Sequence, residues 1–250
     1  LIEFLNKAIE RNAIPVHYGT RAVSLIEEDG VILGIVARQG GKKLTVRAKS
    51  VVLACGGFEA NAEWRTRYLG PGWDMAKVRG TRYNTGDGIE MALAVGAQSY
   101  GQWSGCHAVA WERYANDYGD VDGQHSAGYR HSYPFSIMVN ANGERFVDEG
   151  ADFRNYTYAK YGRVVLAQPG GDAWQVFDGQ VMYLLRDEYK MRGATKVRAY
   201  TLEELVNRMQ DVNPAGFLKT VRDYNTAVKR EVKFDRSEER RVGTECRSRW

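Results

Sequence analysis

Long apolar runs are missing from this chain of 250 residues. Met91 to Val95, a run that no other exceeds, is far short of the ~18 residues that a membrane-crossing helix needs, so no membrane span is expected. Cysteine is scarce. Cys55, Cys106 and Cys246 form no C-x-x-C pair and no zinc-type spacing, which argues against a disulfide framework and a structural zinc site; no metal is expected. Excess charge is small as well: 35 Lys and Arg against 31 Asp and Glu, net +4 and dispersed, which does not fit nucleic-acid binding. What the chain does have is 44% hydrophobic residues, enough for a core in one large domain or two smaller ones and too many for wholesale disorder.

The two ends look unlike natural boundaries. The first residue is Leu1 rather than methionine, and an amphipathic pattern starts at once. At the other end, Arg236-Ser237-Glu238-Glu239-Arg240-Arg241-Val242-Gly243 back-translates to a common short-read sequencing adapter. Thr244 is one base away from the adapter's Lys, and the match resumes through Glu245-Cys246-Arg247-Ser248-Arg249-Trp250. The expectation is an internal piece of a longer protein, with 236–250 foreign to it. Without that tail the net charge falls to +2. A cytoplasmic location is expected, with no leader to read either way.

Local patterns define the opening elements. Leu1, Leu5, Ala8 and Ile9 share one helical face, predicting a helix from Leu1 to Asn12 that Pro15 cannot continue. Ala22 to Ile26 and Val31 to Ala37 read as strands joined by the hairpin pair Asp29-Gly30, and Gly40-Gly41 turns the chain again into Leu44 to Ala48. Val51-Val52-Leu53-Ala54 is a short continuous apolar run of the kind buried on both faces of a parallel sheet. The order of helix, strand, β-meander and buried strand is α/β.

Two glycine clusters follow. Cys55-Gly56-Gly57-Phe58 comes straight after the apolar run, where glycine lets backbone approach a ligand or merely makes a tight turn. Asn84-Thr85-Gly86-Asp87-Gly88 precedes a helix over Ile89 to Gly96, which Thr85 or Asp87 could cap. The N–H groups of that helix start suit an anionic or electron-rich ligand, and an ordinary capped helix would look the same.

Five motifs in order carry a resemblance. They are Thr20-Arg21-Ala22-Val23; Val51 to Phe58; Thr85-Gly86-Asp87-Gly88 with Val95-Gly96-Ala97; a lone His107; and Val139-Asn140-Ala141-Asn142-Gly143-Glu144-Arg145-Phe146-Val147-Asp148-Glu149. Thr201-Leu202-Glu203-Glu204-Leu205, Thr220-Val221 and Tyr224-Asn225 extend it. Together they resemble the FAD-dependent flavoproteins of the fumarate reductase and succinate dehydrogenase family, most nearly its tricarballylate dehydrogenases. The resemblance implies an α/β fold, part of an FAD-binding Rossmann-like domain with a β-meander over residues 1–105. An inserted α+β capping domain would occupy residues 106–235. The family's G-x-G-x-x-G loop would lie upstream of Leu1, and further substrate and flavin contacts downstream. This piece alone would therefore hold FAD poorly.

The same resemblance assigns roles. Ala22, Ala54, Cys55, Gly56, Gly57 and Asp87 would line FAD. His107 would bind a substrate carboxylate. Gly128-Tyr129 stand where fumarate reductases carry Thr-Glu, and the adjoining Arg130 and His131 would suit a third carboxylate. Arg154 would take the proton when a saturated C–C bond is oxidised and hydride leaves to flavin; Asp152, Glu149 or Asp148 would relay it. The implied function is FAD-dependent addition or removal of hydrogen across a C–C bond of a small polycarboxylate, with an electron donor or acceptor of unknown identity. The alternatives are a 3-ketosteroid dehydrogenase using a cap tyrosine as base, and a non-catalytic binding fragment.

Overall fold

The computed structural model describes residues 2–119 and 128–228. The expected adapter segment, with Cys246, lies outside the described residues, as does Leu1. The chain folds as two compact units. One comprises Leu1–Asn61 and Asn84–Gly101; the other comprises Ala62–Tyr83 and Gln102–Trp250.

The first unit follows its local code closely. Helix α1 spans Ile2–Arg11. Strands β1 (Thr20–Glu28), β2 (Val31–Gln39) and β3 (Lys42–Arg47) form an antiparallel sheet in sequence order. Both turns have the positive φ pairs of tight hairpins: 51° and 79° at Asp29-Gly30, 52° and 80° at Gly40-Gly41. The register of β1 on β2 shifts between Ala22 and Ser24, a bulge that leaves Val23 without an opposite partner.

The predicted strand Val51–Ala54 is not formed. Among the described residues that run pairs with no neighbour; Val52 is 87% and Leu53 40% exposed. A parallel strand exists only against other strands, and both described sheets are antiparallel. Helix α3 forms at Asp87–Ala94, as predicted to within two residues, but its N-cap is Gly86 (φ 89°) and no side chain caps it. Thr85 and Asp87, the two residues expected to cap, instead bond each other: Thr85 Oγ1 donates to Asp87 Oδ1 at 2.7 Å.

The second unit contains α2 (Ala62–Leu69), a two-stranded antiparallel sheet of β4 (Ser136–Val139) and β5 (Trp174–Phe177), and helices α4 (Arg154–Leu166), α5 (Leu202–Arg208) and α6 (Pro214–Ala227). All four residues of β4 are buried. Strand alternation sends Ile137 and Val139 into a cluster with Val176, Val206, Met209, Phe217, Val221 and Tyr224, and Met138 into another with Tyr133 and Tyr161. Each such side chain contributes ~1.5–3 kcal/mol by leaving water.

The motif Val139–Glu149 is structural in its first half. Asn140 Oδ1 accepts from the backbone N–H groups of Asn142 and Glu144, both at 3.0 Å. Gly143 has φ 76°, and a Cβ there would lie 2.2 Å from the Phe217 nitrogen, so this turn docks on α6 only with glycine. Thr201 caps α5, accepting from Glu204 N at 3.2 Å, and Asn213 caps α6 ahead of Pro214.

Candidate functional site

In the first unit the two glycine clusters meet. Gly86 N donates to Gly57 O at 3.0 Å, Ala60 N to Asn84 O at 2.9 Å, and Asn61 Nδ2 to Thr85 O at 3.0 Å. A Cβ on Gly88 would lie 2.9 Å from Cys55 Cβ, so α3 seats directly on the Ala54–Gly57 run. Gly56 has φ 75°. Residues 52–56 are exposed, leaving backbone and small side chains open beside an uncapped helix start. That arrangement fits a flat ligand held by main-chain N–H groups. Ala54, Cys55, Gly56, Gly57 and Asp87 come together here. Arg21 Nε bonds Asp87 Oδ2 at 2.8 Å and holds its carboxyl below the usual range. Ala22, next to Arg21 on β1, pairs with Ala37 at the bulge.

In the second unit a row of rings is built around α4. Tyr158 on that helix meets His107 edge-on, ring centres 5.1 Å apart, and His131 edge-on at 5.0 Å. Tyr129 stacks on His131 at 5.0 Å and 27°, and Trp111 meets Tyr129 at 5.0 Å. Gly162, one turn beyond Tyr158, is why the chain after His107 can lie so close: a Cβ there would sit 2.3 Å from the Ala108 carbonyl carbon.

Cations surround this row. Arg79 lies over the Tyr129 ring, its guanidinium carbon 4.1 Å from the centroid. Arg154 is the first residue of α4. Its guanidinium bonds Asn155 Oδ1 at 2.9 Å, and its carbonyl accepts from the Tyr133 hydroxyl at 3.2 Å. Arg186 is paired with Glu188 at 2.6 Å. Among the described residues neither Arg79 nor Arg154 has an acidic partner. Burial, then Arg154, Arg186 and Arg79 against the opposing Glu188, push the His131 imidazole down to about 4, so it is neutral at pH 7.

That depression has a sign. The unfolded imidazole titrates near 6.5. The unfolded chain therefore binds a proton that the folded one refuses between pH 6.5 and about 4. The stability contribution is fully present above 6.5, declines toward 4 and is level below. Urea denaturation of wild type and His131→Asn between pH 7 and 4 should show the gap between them narrowing as pH falls. Parallel curves would refute it.

Arg130 does not join the cluster. Its guanidinium is turned to Glu112, with both side chains nearly buried, and Glu112 also accepts from the Thr195 N–H at 3.2 Å and the Thr195 hydroxyl. Burial opposes the Glu112 charge, but the Thr195 and Arg130 hydrogen bonds outweigh it and hold the carboxyl below the usual range. The geometry lends no support to Arg130 as a carboxylate ligand, because an acid 18 residues away pairs with it. The backbone behind His131 is held separately. There Gln175 Nε2 donates to Arg130 O at 3.0 Å, Ser132 N donates to the Tyr189 hydroxyl at 2.8 Å, and that hydroxyl donates to Gln175 Oε1 at 2.6 Å.

The expected relay acids divide similarly. Glu149 and Asp148 belong to Arg145, at 2.7 and 3.5 Å, and Asp152 accepts from Phe153 N at 2.6 Å beside Arg154. Arg79 and Glu112 were not legible as site residues, because both act through partners far along the chain. Among the described residues no three His, Cys, Asp or Glu side chains could hold a metal, and no helix is long and apolar enough to cross a membrane.

A family profile described as an FAD binding domain matches residues 1–244. A probable fumarate reductase of Shewanella frigidimarina is 29% identical over 232 residues, covering 90% of this chain and 36% of that protein. A 3-oxosteroid 1-dehydrogenase of Mycobacterium tuberculosis is 30% identical over 207 residues, covering 77% of this chain and 34% of that protein. Among solved structures, the open conformation of a flavocytochrome c3 fumarate reductase superposes with a TM-score of 0.67 at 28% identity, covering 90% of this chain and 38% of that one. The chain spans about a third of the length of these curated relatives.

Proposed function

This chain belongs to the FAD binding domain family, and on that premise we propose that it is part of an FAD-dependent oxidoreductase moving hydrogen across a C–C bond of a small polycarboxylate. Tricarballylate is the favoured member of that class, with fumarate and succinate next. The observation that carries the substrate class is the set of cations about His131, two of which, Arg79 and Arg154, have no acidic partner among the described residues. A cluster that keeps positive charge uncompensated favours an anion.

The residues of the first unit fit the cofactor. Ala54, Cys55, Gly56 and Gly57 offer exposed backbone against the uncapped start of α3. Ala22 sits at a register shift of β1 on β2, and Asp87 is ionised and oriented by Arg21. When bound, FAD supplies the hydride acceptor or donor. The remaining work falls to the second unit. His107 and neutral His131 donate hydrogen bonds to substrate carboxylates. Arg154 holds the proton that leaves or reaches the neighbouring carbon. Since arginine keeps its own proton up to pH ~12, it would give that proton up only as it regains one from an acid, or the reverse, and Asp152, two residues earlier in the chain, is the candidate for that acid. An external electron donor or acceptor completes the cycle.

A second reading rests on the ring row His107, Tyr158, His131, Tyr129 and Trp111, which suits a flat apolar substrate with a tyrosine as base. It would make this a relative of the 3-oxosteroid dehydrogenases in chemistry as well as in sequence. The test is a substrate panel on the FAD-loaded protein with an artificial electron acceptor: tricarballylate, succinate and a 3-ketosteroid. Turnover confined to the carboxylates is expected. Steroid turnover would overturn the polycarboxylate reading, and absence of flavin absorbance in the complete protein, of which this chain is a part, would point to a binding role.

A further inference from the structure

We propose that Arg79 holds the outermost carboxylate of the substrate and so selects a tricarboxylate over a dicarboxylate; this rests on the polycarboxylate reading above. Arg79 is positioned from both sides by its backbone. Val78 N donates to Asp117 O at 2.8 Å, and Gly119 N donates to Val78 O and Gly80 O, both at 3.0 Å. The side chain is positioned by stacking. The guanidinium lies 4.1 Å over Tyr129, which itself stacks on His131 at 5.0 Å.

Stacking engages one face of a guanidinium and leaves the in-plane N–H groups at its edge. Those donors form a planar fork matched to a carboxylate. The other arginines near the row are committed: Arg130 to Glu112, Arg186 to Glu188 at 2.6 Å, and Arg154 to the proton. Arg79 is exposed, has no acidic partner among the described residues, and stands at the far end of the stack from Tyr158 and His107. A substrate whose first two carboxylates reach His107 and His131 has its third left for Arg79.

The experiment is steady-state kinetics of the FAD-loaded protein on tricarballylate and succinate, in wild type, Arg79→Gln and Arg79→Lys. In Arg79→Gln the KM for tricarballylate should rise about ten- to a hundredfold, as for loss of a charge-assisted pair. The KM for succinate should rise by clearly less than that for tricarballylate, the difference between the two being the readout. Lysine keeps charge without the fork and should fall between. A variant that only loosened Tyr129 would move both substrates together. An unchanged KM, or an equal rise for both substrates, overturns the assignment, as does a wild type that oxidises succinate but not tricarballylate. If Arg79→Gln does not fold, Arg79→Lys decides alone: a rise confined to tricarballylate supports the assignment, and no rise refutes it. A wild type that oxidises only the ketosteroid defeats the polycarboxylate reading itself, a result separable from failure of Arg79.

Discussion

If Arg154 moves the proton as proposed, replacing it with alanine should lower turnover of the complete, FAD-loaded protein by about a hundred- to ten-thousandfold, the range for loss of a proton-transferring group, while flavin absorbance and thermal melting stay as in wild type. The fold should tolerate the change because the side chain supports little of it. Among the described residues its guanidinium bonds the neighbouring Asn155 Oδ1. What anchors the start of α4 is the Arg154 carbonyl, which accepts from Tyr133, and alanine keeps that carbonyl. Arg154→Lys should recover substrate affinity better than rate, since an ammonium replaces the charge but not the fork. A rate within tenfold of wild type would remove Arg154 from proton transfer.

The largest stability effect is expected at Arg145→Met. Glu149 is almost fully buried; its Oε1 accepts from Met138 N on β4 at 2.6 Å and its Oε2 from Arg145 Nε at 2.7 Å. Burial pushes the Glu149 carboxyl up, and Arg145 and the Met138 N–H pull it back. Removing the arginine leaves a buried charge alone, which costs ~3–5 kcal/mol. The paired substitution Arg145→Met with Glu149→Gln should cost clearly less, because no charge is stranded. Chemical denaturation of the three proteins measures this; equal losses in the single and double variants would refute it.

Legibility in the sequence followed the range of the forces. Asp29-Gly30 and Gly40-Gly41 announced their hairpins because positive φ is a property of the residues themselves. The resemblance placed Ala54–Gly57 and Asp87 against one cofactor without saying that the two segments touch; the Gly86–Gly57 hydrogen bond, made across distant parts of the chain, is what joins them. Val51–Ala54 misled because a parallel strand is defined by its neighbours, and an apolar run says nothing of whether they are there. Gly86 displaced Thr85 and Asp87 as cap because Asp87 has a stronger partner in Arg21. Arg130 was read by its adjacency to His131, and Glu112 and Thr195, distant in sequence, redirected it. Arg79 was invisible for the same reason: only folding brings it over Tyr129.

Helix α4 also bears on how such a site can diverge. Arg154 begins it, Tyr158 meets both histidine rings, and Gly162 takes the backbone that follows His107. From Arg154 to Gly162 the axial rise is about 12 Å, fixed by the helix itself. Any shift of α4 moves Arg154 and the seat of His107 as one piece. A lineage adapting to a longer or bulkier substrate has little to gain by sliding this helix. On the proposed assignment, its freedom would lie in the segments bearing Arg79, Tyr129 and His131, where a single replacement would alter the reach of the site and leave Arg154 in place.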